Sequence, residues 1–181
     1  MQNFWHDVSR GKNTPEEINS VIEIPKNSSN KYELDKETGM IMLDRANYTS
    51  SPYPFDYAMI PQTLWDDGDA LDAIVLSTYP THPGVLVKIR PVALMEMTDS
   101  GESDFKILGV PVNDKRWNDV QDLEDVNDHS LKEFAHFFET YKDLKGESRD
   151  EYEVEVHGYK GREAAQEAIE KSVRKYEKKF E

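Results

Sequence analysis

Asp67-Gly68-Asp69-Ala70-Leu71-Asp72 runs directly into Ala73-Ile74-Val75-Leu76. Three carboxylates fall within six residues, Asp66 stands just before them, and a glycine sits where the backbone can turn sharply. The apolar run reads as a buried strand, which puts the acids at its mouth on a rigid support. Such oxygen-rich groups suit hard divalent cations. Magnesium usually takes one or two protein carboxylates and fills its shell with water and substrate phosphate. The stretch therefore points to a magnesium site that handles phosphate, against the plainer reading of an acidic surface turn.

Upstream, residues 21–25 (Val-Ile-Glu-Ile-Pro) read as a strand stopped by proline, which has no ladder donor. A turn at Asn27-Ser28-Ser29-Asn30 separates it from two alternating segments at 31–35 and 39–45, a pattern that predicts an antiparallel meander. Residues 48–61 hold three prolines and three tyrosines, so regular structure there is expected to be short. Residues 1–20 form an irregular lead-in, with Phe4, Trp5 and Val8 as either a short helix or an anchor.

Downstream, residues 85–97 make a long strand that Pro91 should bend, and a polar turn at 98–104 leads to a return strand at 105–112. This spacing predicts a barrel or sandwich, so the first 112 residues form a β body. A helical stripe follows at Leu131, Phe134, Ala135, Phe138, Tyr141 and Leu144, with Asp128 or Ser130 as cap and Gly146 past its end. Residues 151–159 alternate as a strand. Residues 164–180 form a second helix, with Ala165, Ile169, Val173 and Tyr176 inward and lysines in its last turn. With no repeat or linker, residues 1–181 are expected to form one α+β domain.

Composition narrows the chemistry. Lys and Arg total 22 against 36 Asp and Glu, a net charge of −14, which argues against nucleic acid or an anionic membrane as partner. Without cysteine, thiolate catalysis, disulfides and cysteine zinc sites are excluded. The five histidines lack close metal-ligand spacing, and His136 reads as a packing or interface residue. No P-loop, nucleophile elbow or dinucleotide fingerprint occurs, and the acidic stretch lacks the EF-hand pattern. No membrane-spanning run or leader is found, so a soluble cytoplasmic protein is expected.

A second acidic group, Asp99, Glu102 and Asp104, occupies the tip of the predicted hairpin, with Lys106 on the same strand face as Asp104. Groups able to hold phosphate are also present. Lys31 and Glu33 share a strand face, Arg45 ends the next strand, Tyr53 and Tyr57 precede the acids, and Tyr141 and Lys142 lie on the first helix.

Taken together, these blocks resemble a family I soluble inorganic pyrophosphatase of the short prokaryotic type. The resemblance runs from about Val21 to the C-terminal helix. It is carried by Val21-Ile22-Glu23-Ile24-Pro25, Lys31-Tyr32-Glu33, Asp44-Arg45, Tyr53-Pro54 with Tyr57, the Asp67–Asp72 stretch, Arg90-Pro91-Val92, Met97-Thr98-Asp99, Asp104-x-Lys106, Asp125-Val126-Asn127-Asp128 and His136-Phe137-Phe138-Glu139-x-Tyr141-Lys142.

The resemblance implies a small distorted five-stranded OB-like β-barrel flanked by two C-terminal helices, usually assembled as a homo-hexamer. It implies hydrolysis of inorganic diphosphate to two orthophosphates with several Mg2+ ions per site. Asp67, Asp72 and Asp104 would bind activating ions, Asp99 would join Asp104 around the ion arriving with substrate, and Glu33 would hold a further ion or its water. Asp69 would deprotonate the attacking water. Lys31, Arg45, Tyr57, Tyr141 and Lys142 would hold the phosphoryl groups, supported by Glu23, Tyr53 and Lys106. Three positions depart from the family pattern: Ala58, Ala70 and Ser100. Asp66 has no family role and is expected to be simply solvated. Two rival readings are a catalytically weak metal-dependent binding or scaffold protein on the same barrel, and hydrolysis of a nucleotide or other phosphoanhydride.

Overall fold

The computed structural model describes residues 3–146 and 152–181. Its centre is a closed ring of five strands. β1 (Ile18–Ile24) pairs antiparallel with β4 (Asp56–Met59) on one side and with β6 (Leu86–Asp99) on the other. β4 pairs with β5 (Asp72–Val75), β5 runs parallel to β8 (Lys106–Pro111), and β8 returns to β6. Closure leaves no free edge among the ring strands. The short β7 (Glu102–Ser103) and the later β9 (Val154–Gly161) add to β6 outside the ring.

The predicted meander is corrected. Among the described residues, β2 (Asn30–Leu34) and β3 (Ile41–Ala46) pair only with each other, as a separate two-stranded sheet, because both sides of β1 are already taken by β4 and β6. The bend at Pro91 is present: the β6–β8 register slips between Pro91 and Ala93, where proline has no N–H to offer. The apolar run after the acids is β5, with Ala73, Ile74 and Val75 fully buried.

Helix α1 (Asp128–Thr140) lays Phe134, Phe137 and Phe138 against the barrel, where Phe55 meets the rings of Phe134 at 5.2 Å and Phe138 at 5.4 Å. Its cap is Asn127, not Asp128 or Ser130. The Asn127 side chain accepts from the N–H groups of His129 at 3.0 Å and Ser130 at 3.1 Å. The helix ends at Thr140, one turn earlier than its stripe suggests, so Leu144 lies outside it and is 69% exposed. His136 is exposed and does not pack in the core.

Helix α2 (Arg162–Phe180) covers another face, burying Ala165 and Ile169 against Ile18 and Ile22. The strand expected from residue 151 begins at Val154 in β9, and Glu151 lies outside the described residues. The lead-in is an anchor. Trp5 is buried, donates from its indole N–H to the Thr63 carbonyl at 2.7 Å, and packs edge-on against Phe180 at the end of α2.

Candidate active site

The acidic turn is held by its own backbone. The N–H of Trp65 donates to the Asp69 carbonyl at 2.7 Å, the N–H of Asp69 donates to an Asp67 side-chain oxygen at 2.9 Å, and Gly68 takes φ +89°. A side chain is rarely tolerated at that angle, which accounts for the glycine.

Asp72 opens β5, and the parallel register with β8 sets it opposite Lys106. The Lys106 ammonium, only 2% exposed, donates to Asp72 at 2.6 Å and also to Asp104, which lies just ahead of β8. The Tyr57 hydroxyl donates to the same Asp72 oxygen. Burial raises the Asp72 carboxyl, with Lys106 opposing and Asp104 adding to the shift. Burial also works against the Lys106 charge, but Asp104 and Asp72 outweigh it and hold the ammonium protonated. Asp67 is pushed up to about 6, mainly by burial, with the charges of Asp72 and Asp104 adding.

The opposite wall is cationic and phenolic. The hairpin register sets Lys31 across from Arg45; Lys31 donates to Glu33 at 2.7 Å and Asp44 at 3.0 Å, and Arg45 also reaches Asp44. The end of α1 delivers Tyr141 and Lys142, and Lys142 contacts Asp99. Burial raises the phenols of Tyr53, Tyr57 and Tyr141, keeping them protonated as hydrogen-bond donors.

Glu23 enters through an irregularity in β1, where the register with β4 slips between Ile22 and Ile24. Such a bulge re-aims a side chain. Its carboxyl accepts from the Leu34 N–H at 2.8 Å and is pushed up to about 8 by burial and then by Asp72. Between about pH 4.5 and 8 the folded chain therefore holds a proton that the unfolded chain releases, so stability falls as pH rises through this window. In chelator, Glu23→Gln should remove that slope and stabilise the protein by a few kcal/mol near pH 8, with little gain near pH 5. Thermal melts at the two pH values check this; an equal gain at both would count against it.

One cavity of about 400 Å³ gathers all fourteen expected residues: Glu23, Lys31, Glu33, Arg45, Tyr53, Tyr57, Asp67, Asp69, Asp72, Asp99, Asp104, Lys106, Tyr141 and Lys142. Trp5, Lys36 and Lys145 also line it, and sequence reasoning did not single them out for the site. Their positions depend on tertiary packing, and no local pattern marks them. Asp66 faces elsewhere. It is not merely solvated but pairs with Lys171 at 2.8 Å and with Lys175, tying the acidic turn to α2.

The donor set fits a hard cation, since it consists of carboxylate oxygens without thiol or imidazole. Among the described residues, however, no three acids or histidines stand close enough to enclose an ion as they are. Several of the acids instead meet a protein cation: Asp72 and Asp104 meet Lys106, Asp99 meets Lys142, and Asp69 meets Lys36.

The family profile described as inorganic pyrophosphatase matches residues 20–177. The chain belongs to the inorganic pyrophosphatase family. It is 43% identical to the inorganic pyrophosphatase of Haloferax volcanii, with 99% of each chain covered. It is 45% identical to that of Geobacillus stearothermophilus, covering 88% of this chain and 93% of the relative. The crystal structure of inorganic pyrophosphatase from Thermus thermophilus superposes with a TM-score of 0.92 at 42% identity, covering 97% of this chain and 99% of that one. The pyrophosphatase fold accounts for the closed five-stranded barrel with two helices, as the resemblance implied.

Of the three departures from the pyrophosphatase pattern, Ala58 is fully buried in β4 and Ala70 packs beside the cluster of Trp5, Val21 and Leu64. Ser100 takes φ +53° and donates its hydroxyl to Asp99 at 2.9 Å. Among the described residues, no helix is long and apolar enough to cross a membrane.

Proposed function

We propose that this protein hydrolyses inorganic diphosphate to two orthophosphates at a site that takes several magnesium ions. The observation that carries the reading is the convergence of seven acids and a wall of lysines, arginine and phenols on one cavity of about 400 Å³. Asp67, Asp72 and Asp104 would hold activating ions, with Asp99 joining Asp104 and Glu33 taking a further ion or its water. Bound magnesium supplies charge neutralisation for the phosphates and acidifies water.

The chain's own groups do the remainder. Lys31, Arg45 and Lys142 bind the phosphoryl oxygens by charge, and the protonated Tyr57 and Tyr141 donate hydrogen bonds to them. Asp69, on the exposed side of the acidic turn, takes the proton of the attacking water. Lys106 keeps Asp72 and Asp104 close despite their like charge, while Glu23 and Tyr53 line the floor. Cytoplasmic residence and a homo-hexameric assembly belong to the same proposal.

Against the catalytically weak scaffold stands the presence in the cavity of every residue to which the resemblance gives a role. The direct test is phosphate release from pure diphosphate with magnesium and again with a chelator. Release that depends on magnesium is expected; background release under both conditions would overturn the proposal.

A further inference from the structure

Lys36 contacts Asp69, the proposed proton acceptor, although neither sequence spacing nor the family pattern gives this lysine a role. It sits in the turn joining β2 to β3, and that turn is firmly built. The N–H of Asp35 donates to the Met40 carbonyl at 2.8 Å, and the N–H of Gly39 donates to the Asp35 carbonyl at 2.7 Å. Gly39, at φ +72°, lies so close to the lead-in that a Cβ would come within 2.8 Å of the Asn3 Cα. The ammonium also stands 5.9 Å from the centre of the buried Trp5 ring. In this one position it meets a carboxylate and an aromatic face together. With the Lys36 and Asp69 side chains 58% and 54% exposed, their pairing is loose and readily exchanged.

We propose that Lys36 is a positioning residue, a tethered cation that holds Asp69 before divalent ions arrive and gives way when they do. It acts through Asp69, in competition with the incoming ion for the negative charge of the acidic turn. It thus sets how much metal the site requires. The proposal rests on the metal-dependent reading above. It differs from the roles of Lys106 and Lys142 because Lys36 is carried by an exposed turn and can leave without opening the core.

The test is direct binding of Mn2+ to the substrate-free protein, followed by the electron paramagnetic resonance signal of the free ion. Lys36→Met should bind Mn2+ about two- to fivefold more tightly, the range expected for losing one exposed ion pair. Lys36→Arg keeps the charge and should restore wild-type affinity. Lys145→Met removes a charge from the same cavity, but this ammonium rests 4.1 Å from the Tyr152 ring, so its affinity should stay near wild type. Raising NaCl to ~1 M should close the gap between Lys36→Met and wild type. Unchanged or weaker binding by Lys36→Met would overturn the proposal, as would equal tightening by Lys145→Met, which would mark a general field effect. Absence of Mn2+ binding by the wild type would defeat the metal-site reading as well, which separates the two failures.

Discussion

Asp69→Asn should lower turnover on diphosphate by about 10²–10⁴-fold, the range for losing a positioned general base. The amide is nearly the same size and can still accept a hydrogen bond, but it cannot take a proton at neutral pH. Little else should change. The Asp69 side chain is more than half exposed and its ion pair is with an exposed lysine, so stability should move by less than ~1 kcal/mol. The turn keeps its shape because it is closed by backbone groups of Asp69 and by the side chain of Asp67. Steady-state phosphate release beside a thermal melt separates these effects. Turnover within about threefold of wild type would remove Asp69 from the base role without touching the family assignment.

Lys106→Met should be the most destabilising single change at the site. The ammonium is nearly inaccessible and is shared by Asp72 and Asp104, so its loss leaves two carboxylates facing each other in a buried place. Breaking a buried pair in this way costs about 3–5 kcal/mol. For a chain of this size that corresponds to a fall of roughly 6–20 °C in the melting temperature in chelator. Methionine fills most of the volume, which leaves electrostatics as the main cause. Magnesium should restore part of the loss, since a divalent ion can replace the missing positive charge between the acids. An unchanged melting temperature in chelator would show that the two carboxylates tolerate each other by protonation or by moving apart.

Local order was largely legible. The apolar run after Asp72 is β5, the bend at Pro91 is real, and the spacing of Phe134, Phe138 and Tyr141 marks the buried face of α1. Period and turn chemistry report such features because they depend on neighbours only a few residues away. Two of the three errors come from partners far along the chain. The meander failed because the partners of β1 are set by ring closure with β4 and β6, far along the chain. Leu144 fits the helical period, yet α1 has already ended at Thr140, with Tyr141 as its last cap. Asp66 looked idle because its partners, Lys171 and Lys175, lie more than one hundred residues away on α2.

The order of acids, cations and tyrosines along the chain was enough to name the family, because that signal resides in residue identity and spacing. The pairing of Asp72 with Lys106 was not written there. It follows from the parallel register of β5 and β8, a relation between segments that no local pattern encodes. The raised carboxyls of Glu23 and Asp67 likewise required the fold, since desolvation is a property of the assembled interior. Lys36 belongs with them: an ordinary turn lysine in the sequence, it meets Asp69 and Trp5 only through folding.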